Sequence, residues 1–217
     1  MTIARNGLVA LVSAAILIPL SVEFADRAIS TWSFTELHRP TYFVRMTQFI
    51  EPLPPIAGLL LALAGLAALA GWRPGYWGRV AITTCIAVLV AIMIKDQLKY
   101  AFGRTWPETY LAPPNPSWIS DQAFGFTPFH GGPGWGSFPS GHMTLITAPM
   151  AVLWQALPRL RVVWLALPII VAVGLLGADY HFLGDIIAGS YLGTACGVGV
   201  AAFALSLEAR RRGGGDH

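Results

Sequence analysis

The sequence predicts an all-α integral membrane protein, and three observations support this fold class. Of the 217 residues, 55% are hydrophobic and only 12% are charged, and the mean hydropathy is +0.59. Uncharged runs recur along the chain at lengths near the 20 or so apolar residues that a helix needs to cross the hydrocarbon core. Arginines border these runs in an alternating pattern. We therefore expect one domain over residues 1–217, built as a bundle of six transmembrane helices.

Six runs without Asp, Glu, Lys or Arg are the predicted spans. They cover residues 6–22, 52–72, 80–94, 140–158, 162–178 and 186–207. The third run is short, so we expect its helix to continue past Lys95 and Lys99, with both side chains facing protein or snorkelling outward. The first run is followed by no small-residue cleavage site before Glu23, which favours a retained helix over a signal peptide.

The arginines predict the orientation of the bundle. If the N-terminus is cytoplasmic, the short inner loops and both termini carry the arginines, as the positive-inside rule requires. These residues are Arg5, Arg73, Arg79, Arg159, Arg161, Arg210, Arg211 and Arg212. The C-terminus is then also cytoplasmic, with a flexible tail over 208–217. The net charge of +3 follows from this topology, so we expect no nucleic-acid partner.

Two longer segments are expected on the outer side. Residues 24–51 mix aromatic side chains with arginines, which is typical of an amphipathic segment at the headgroup level. This segment either anchors the bundle or covers a site. The segment 100–139 is rich in proline and tryptophan, and long irregular segments of this kind usually carry function. We place the active-site region within 95–190.

The stretch Trp-Gly-Ser-Phe-Pro-Ser-Gly-His at 135–142 joins the outer loop to an uncharged helix. Ser140 is a favourable N-cap, and Gly141 lets another group approach the backbone closely. Free N–H groups at a helix start favour an anion, and His142 would stand beside it in the first turn. The alternative is a capped membrane helix whose histidine hydrogen-bonds to a neighbour.

His181 and Asp185 are four residues apart and share one face if the last span begins here. The carboxylate can then accept the Nδ1–H of the imidazole, which fixes the tautomer and leaves Nε2 as a nucleophile. A purely structural hydrogen bond is the alternative. The predicted topology places this pair at the same membrane face as Lys99 and Arg104, where ionisable groups are functional candidates.

Together these groups describe a site for phosphoryl transfer. Its transition state spreads negative charge over three oxygens. Lys99, Arg104 and the N–H groups near Ser140 and Gly141 would stabilise that charge as the substrate-binding residues.

The two histidines supply the remaining chemistry. His181, oriented by Asp185, would attack phosphorus and form phosphohistidine. His142 would protonate the leaving oxygen and then help water to cleave the intermediate. Because the sequence has no ligand set with metal-site spacing, we expect a reaction without metal or other cofactor.

At these residues the sequence resembles the type 2 phosphatidic acid phosphatase family, the membrane relatives of vanadium haloperoxidases and glucose-6-phosphatase. The family has a Lys followed at a distance by Arg-Pro, then Pro-Ser-Gly-His, then Ser-Arg followed by a His with Asp four residues on. Residues 139–142 match the second motif, and His181 with Asp185 match the later half of the third. The resemblance covers roughly 90–200. It implies a six-helix membrane bundle that acts on lipid phosphates or diphosphates from the outer side.

Two family arginines are missing from this sequence. The arginine of the first motif falls at Trp106, two residues after Arg104, and the Ser-Arg of the third motif falls at Gly174 and Leu175. Each absent clamp costs on the order of 2–4 kcal/mol of transition-state stabilisation. Among nearby residues, Arg104 and Lys95 are the cations that could compensate.

We therefore predict a lipid phosphatase of the bacterial cytoplasmic (inner) membrane, with its active site facing the periplasm. Its substrate is a lipid phosphate such as a polyprenyl diphosphate, phosphatidic acid or phosphatidylglycerol phosphate. The other expected partners are the membrane lipids that surround the bundle. One alternative is a lipid phosphotransferase that uses the same histidine. The other is a non-catalytic member that binds or transports lipid. The sequence indicates no particular oligomeric state.

Overall fold

The chain folds as a set of helices in the computed structural model, which describes residues 2–109 and 115–213. The helices are α1 (Thr2–Phe24), α2 (Asp26–Trp32), α3 (Thr41–Gln48), α4 (Leu53–Leu69), α5 (Tyr76–Phe102), α6 (Trp118–Asp121), α7 (Gly141–Ala156), α8 (Arg161–Gly177) and α9 (Leu183–Gly213). The described residues form no extended strand, which confirms the all-α prediction. Residues 208–213, expected in the flexible tail, are helical, and 214–217 lie outside the described residues.

Five stretches of the described chain are long and apolar enough to cross a membrane. They are Arg5–Phe24, Thr41–Leu69, Tyr76–Phe102, Pro158–Gly177 and Leu183–Arg210. Many of their large apolar side chains are exposed, among them Leu69 and Val162, as expected for surfaces that face lipid. The chain is therefore an integral membrane protein. The remaining predicted span coincides with α7, which is 16 residues long and packs against α5, α8 and α9.

Helix α5 continues through the two lysines, as predicted. It ends at Phe102 because Gly103 adopts a left-handed conformation with φ of 56°. A side chain at this position is also excluded, since a Cβ on Gly103 would lie 2.0 Å from the carbonyl oxygen of Thr127. Lys95 and Lys99 therefore occupy the last two turns of α5, next to the irregular segment that follows this helix.

Helices α7 and α9 form the closest helix pair of the bundle, because α9 presents a row of glycines. Cβ atoms placed on Gly189, Gly193 and Gly197 would lie 2.5, 2.4 and 2.3 Å from backbone oxygens of α7 and its N-cap residue. Small residues at four-residue spacing allow membrane helices to approach in this way. The packing brings the two helix starts together, and the Ser140 amide donates to the carbonyl oxygen of Asp185 over 3.0 Å.

Helix α3 packs against α8 at two further glycines, Gly174 and Gly177. A Cβ on Gly177 would lie 2.5 Å from the Phe43 ring, and one on Gly174 would lie 2.9 Å from the Phe43 carbonyl oxygen. The neighbouring Leu175 has no exposed surface and contributes to the main apolar core with Val171. Positions 174 and 175, where the family has Ser-Arg, therefore serve helix packing in this chain.

The segment 24–51 is amphipathic, in agreement with the sequence. Helices α2 and α3 of this segment expose aromatic side chains such as Trp32 and Tyr42. Its polar side chains Asp26, Ser30 and Thr47 are instead buried. The polar face of this segment is thus turned toward the turn between α8 and α9, where Ser30 Oγ donates to Asp179 over 2.9 Å.

Candidate active site

A cavity of about 560 Å³ lies where α5 ends and α7 and α9 begin. Four of the predicted site residues line it, namely Lys99, Gly141, His142 and His181, and Lys95 lines it as well. The fold thus brings the histidines and the lysines of distant sequence segments to one space. Ser140, Asp185 and Arg104 do not line this cavity and lie behind its wall.

His181 occupies the turn between α8 and α9 and is 3% exposed. Its Nδ1 lies 3.4 Å from Oδ2 of Asp185, the pairing that the four-residue spacing predicts. This contact leaves Nε2 as the ring nitrogen for the cavity. Burial lowers the pKa of His181 below its ordinary value, although Asp185 acts in the opposite direction. The imidazole is therefore neutral near pH 7, which is the nucleophilic form.

Asp185 is fixed by donors from several directions. It accepts hydrogen bonds from Ser137 Oγ over 2.6 Å, from the Phe182 amide over 3.1 Å and from Arg104 Nη1 over 2.5 Å. The carboxylate has no exposed surface. Ser137 and the Phe182 amide hold Oδ2, and Arg104 holds Oδ1. The orientation of the carboxylate toward His181 is therefore set by the surrounding structure and not by the histidine alone.

His142 stands in the first turn of α7. Ser140 caps this helix as predicted, since its Oγ accepts the Met143 amide over 3.4 Å. The ring centroids of His142 and His181 are 6.3 Å apart. Since both imidazoles line the cavity, a group bonded to one of them lies within reach of a proton on the other.

The start of α7 and two lysines form a cationic corner of the cavity. A Cβ on Gly141 would lie 3.3 Å from Cδ and 3.7 Å from Nζ of Lys95, and 3.8 Å from Cε of Lys99. The glycine thus leaves room for both side chains beside the helix start. Lys99 Nζ donates to the Gly136 carbonyl, and Lys95 pairs with Asp96 over 2.7 Å. Two ammonium groups and a helix N-terminus together favour an anion.

Arg104 lies elsewhere than the sequence suggested. Its guanidinium has no exposed surface, and its two terminal nitrogens contact carboxylates, Nη1 at Asp185 and Nη2 at Asp26 over 2.6 Å. The guanidinium carbon also lies 4.5 Å from the ring centroid of Phe182. With both terminal nitrogens engaged by carboxylates, Arg104 lies behind the pair formed by His181 and Asp185 and does not line the cavity.

Trp106 takes the position of the family's first-motif arginine and forms part of the cavity wall. Its ring centroid lies 5.0 Å from that of His181, and its Nε1 donates to the Pro133 carbonyl over 2.7 Å. Lys99 Nζ lies 5.2 Å from the Trp106 ring, a distance typical of a cation–π contact. The wall at this point is therefore aromatic and not cationic.

Sequence reasoning missed several residues of the site. Gln48, Glu51 and Tyr180 line the cavity, and Asp26 and Ser137 hold the groups behind it. Asp26 had a weak sequence signal, because it is one of two acidic residues, with Glu23, that lie within four residues of the end of the first uncharged run. Gln48 and Glu51 lie at the junction of α3 and α4. Nothing in the sequence indicated that they line the cavity, because their position depends on how α3 packs against α8.

Cys85, Cys196 and His130 also have reactive side chains, but they do not line the cavity of the two histidines. Within the described part of the chain, no group of three or more His, Cys, Asp or Glu side chains is arranged to hold a metal ion. Cys85 and Cys196 are buried and unpaired with each other. The His130 ring contacts that of Trp135 in a tilted arrangement, at a centroid distance of 4.3 Å, and does not line the cavity.

Curated relatives share part of the chain. Lipid A 1-phosphatase of Rhizobium etli is 33% identical over 106 residues, which are 49% of this chain and 42% of that protein. Lipid A 1-phosphatase of Rhizobium johnstonii is 32% identical over 106 residues, 49% of this chain and 40% of that protein. The matched region therefore spans less than half the length of these relatives.

The fold and the family follow from two further comparisons. The transmembrane PAP2 type phosphatidylglycerolphosphate phosphatase from Bacillus subtilis superimposes with a TM-score of 0.50 at 17% identity, covering 93% of this chain and 96% of that chain. This likeness concerns the fold. The sequence model of the PAP2 superfamily matches residues 80–208, more than half of the chain and all of the histidine and lysine positions above. The chain belongs to the PAP2 superfamily.

Proposed function

We propose that the protein is a membrane lipid phosphatase that hydrolyses a lipid phosphate or diphosphate through a phosphohistidine intermediate. Polyprenyl diphosphate, phosphatidic acid and phosphatidylglycerol phosphate are the substrates of first choice. The observation that carries the proposal is the single cavity shared by the oriented His181, His142 and two lysines. Membership of the PAP2 superfamily and the lipid A 1-phosphatase relatives support the substrate class.

In the first step, Nε2 of neutral His181 attacks phosphorus. The bond between phosphorus and the lipid oxygen breaks and its electron pair stays on that oxygen. His142, which takes up a proton when the anionic substrate binds, supplies that proton to the oxygen. Asp185 stabilises the positive charge that develops on the imidazole. Lys95, Lys99 and the N–H groups at the start of α7 stabilise the charge on the phosphoryl oxygens.

In the second step, water replaces the histidine. His142, now neutral, accepts a proton from water while the water oxygen bonds to phosphorus and the bond between phosphorus and Nε2 breaks. Inorganic phosphate leaves, and the neutral His181 and protonated His142 are restored. The proposed reaction is balanced by protein side chains and water, and no step is assigned to a metal ion.

The proposed site faces the periplasm of a bacterial inner membrane. Two contacts support this orientation: Tyr76 Oη donates to the Ala156 carbonyl over 3.2 Å, and Arg79 pairs with Glu208 over 2.7 Å. They join the start of α5 to the ends of α7 and α9, at the arginine-rich end of the bundle. The cavity lies at the other end. With α7 as the sixth span, both termini are cytoplasmic and the positive-inside rule is satisfied.

The test is inorganic phosphate release by detergent-purified protein from a panel of lipid phosphates, with and without EDTA. We expect release that EDTA does not reduce and that His181→Ala lowers at least about a thousandfold. His130→Ala is the matched control, because His130 lies outside the cavity, and it should keep wild-type release. Phosphate that appears only on an added acceptor lipid would establish the phosphotransferase instead. No release and no transfer would contradict catalysis.

A further inference from the structure

Asp26 is a buried carboxylate that lies outside the region matched by the PAP2 superfamily. It is the first residue of α2 and has no exposed surface. Its Oδ1 accepts hydrogen bonds from Ser21 Oγ and from the Gly184 amide, both over 2.8 Å. Its Oδ2 accepts Arg104 Nη2 over 2.6 Å. A carboxylate with three donors at zero exposure is a built arrangement, since an unpaired buried charge is strongly unfavourable.

Arg104 connects this carboxylate to the catalytic pair. One terminal nitrogen binds Asp26 and the other binds Asp185, which in turn contacts His181. The four side chains form one continuous chain from the N-terminal segment to the nucleophile. Inside a low-dielectric site such a chain couples its members, because each ion pair sets the charge that the next group experiences.

The start of α9 is shaped to admit Asp26. Gly184 donates its amide to Asp26, and a Cβ on Gly184 would lie 2.9 Å from Asp26 Oδ2 and 3.5 Å from Arg104 Nη1. Asp26 therefore contacts the residue directly before Asp185 as well as the arginine that binds Asp185. Both contacts constrain the carboxylate of Asp185: the Gly184 contact acts through the backbone, and the Arg104 contact acts through the guanidinium.

We propose that Asp26 is a positioning residue for the phosphoryl transfer, holding Asp185 on His181 through Arg104 and Gly184. The inference rests on the proposed function. Without the Asp26 charge, Arg104 is left with one buried carboxylate instead of two and draws Asp185 toward itself. Asp185 then orients Nδ1 of His181 less well, and the fraction of catalytically competent Nε2 falls. Asp26 itself does not reach the cavity, so substrate binding is unaffected.

The kinetic test uses Asp26→Asn, which keeps the shape of the side chain and removes its charge. We expect kcat to fall on the order of 10- to 100-fold, with KM unchanged. Ser30→Ala is the matched control: Ser30 lies on the same helix, is buried, and donates to Asp179 over 2.9 Å. It should keep wild-type kcat. A raised KM at wild-type kcat, or an equal loss in Ser30→Ala, overturns the positioning role.

A second readout does not depend on activity. In histidine-labelled protein in detergent, nitrogen NMR reports the tautomer of His181, assigned by comparison with His181→Asn. The charged or titratable groups around this imidazole are Asp185, Arg104, Lys99 and His142. We expect the Nδ1–H tautomer in wild type and a mixture of tautomers in Asp26→Asn. If the tautomer in Asp26→Asn is the same as in wild type, the inference is overturned, whether or not the protein is a phosphatase. If the tautomer changes in Asp26→Asn but the wild-type protein has no phosphatase activity, only the proposed function is refuted.

Gly184→Ala serves as the second variant if Asp26→Asn does not fold. Its methyl group pushes on Asp26 from the other side without removing any charge. We expect the same loss of kcat and the same mixed tautomer in this variant. Wild-type kcat and an unchanged tautomer in folded Gly184→Ala would overturn the proposal.

Discussion

The two sides of the cavity differ in how far they keep the pattern of the family. On the histidine side, His142, His181 and Asp185 occupy the motif positions, and donors surround the carboxylate. On the cationic side, Lys99 is present, but Trp106 and Leu175 stand where the family has arginines. In the proposed function, the histidine side supplies the groups for the chemical steps, and groups other than the family arginines stabilise the phosphoryl charge.

The structure shows what the residues at the two arginine positions do instead. Leu175 has become part of the core because α3 packs onto α8 at Gly174 and Gly177. Trp106 still lines the cavity but gives it an aromatic wall. Lys95, one helical turn before Lys99, adds a cation beside the start of α7. The four predictions below test this division between the two sides, in order of expected effect.

His142→Ala tests the histidine side and should have the largest effect. We expect kcat for a lipid phosphate to fall about 10²- to 10⁴-fold, because the leaving oxygen loses its proton donor. The loss should be much smaller for p-nitrophenyl phosphate, whose leaving group needs no proton. Steady-state kinetics with both substrates measures this difference. Equal losses for the two substrates would contradict the role of His142 as general acid.

Leu175→Arg tests whether the family arginine can be restored to the chain. Position 175 is fully buried among apolar side chains, so an unpaired guanidinium there should destabilise the protein by about 3–5 kcal/mol. Size-exclusion elution and thermal melting in detergent would show the loss. Leu175→Met is the control and should fold normally. Trp106→Arg should also fold, because Trp106 lies at the cavity wall. A stable and active Leu175→Arg variant would contradict the claim that position 175 now serves apolar packing and can no longer hold the family arginine.

Lys95→Ala tests the replacement cation. We expect kcat/KM to fall about 10- to 100-fold, the effect of removing one hydrogen bond to a charged group. Asp96→Asn is the matched control, since it removes the ion pair of Lys95 but not its charge, and it should stay close to wild type. If Lys95→Ala keeps wild-type kcat/KM at low ionic strength, Lys99 and the helix start alone carry the charge.

Asp179 lies in the turn between α8 and α9 and provides a test on the histidine side that measures stability. Its Oδ1 accepts Ser30, its Oδ2 has no hydrogen-bond partner among the described residues, and burial raises its pKa to about 7. The folded state therefore keeps a proton that the unfolded chain releases, so stability falls as pH rises from about 4 to about 7. Asp179→Asn removes this dependence.

The expected result is a gain in apparent melting temperature for Asp179→Asn that is larger at pH 8 than at pH 5. The exposed Asp96→Asn should show no such dependence on pH. Equal gains at both pH values would mean that Asp179 is ionised in the folded protein. The effect is smaller than those above, because Asp179 lies outside the cavity.

The fold was largely predictable because membrane helices leave a strong signal in composition. Each uncharged run coincides with a helix, and α5 continues past Lys99 as its short apolar run required. The row formed by Gly189, Gly193 and Gly197 was visible, but its partner was not. Which helix meets a row of small residues depends on three-dimensional packing that no local pattern encodes.

The candidate site was predictable where spacing within one segment fixes geometry. The four-residue spacing of His181 and Asp185 predicts that they share one face, and Ser140 is a favourable cap for the helix that carries His142. Arg104 was placed incorrectly in the substrate site because sequence distance says nothing about the direction in which a side chain leaves a turn. Its partner Asp26 is 78 residues away in the chain, so their ion pair had no local signal.

The most direct test of the central claim is to trap the phosphorylated enzyme. Purified protein is mixed with a lipid substrate labelled with ³²P in the phosphoryl group, quenched in alkali within the first turnovers, and mapped by mass spectrometry. The account predicts an acid-labile, alkali-stable phosphate on His181 that His181→Ala lacks. It also predicts a label on His181 in His142→Ala with the p-nitrophenyl substrate, where formation of the intermediate needs no acid. Turnover without a labelled histidine, or a label on any residue other than His181, would contradict the account.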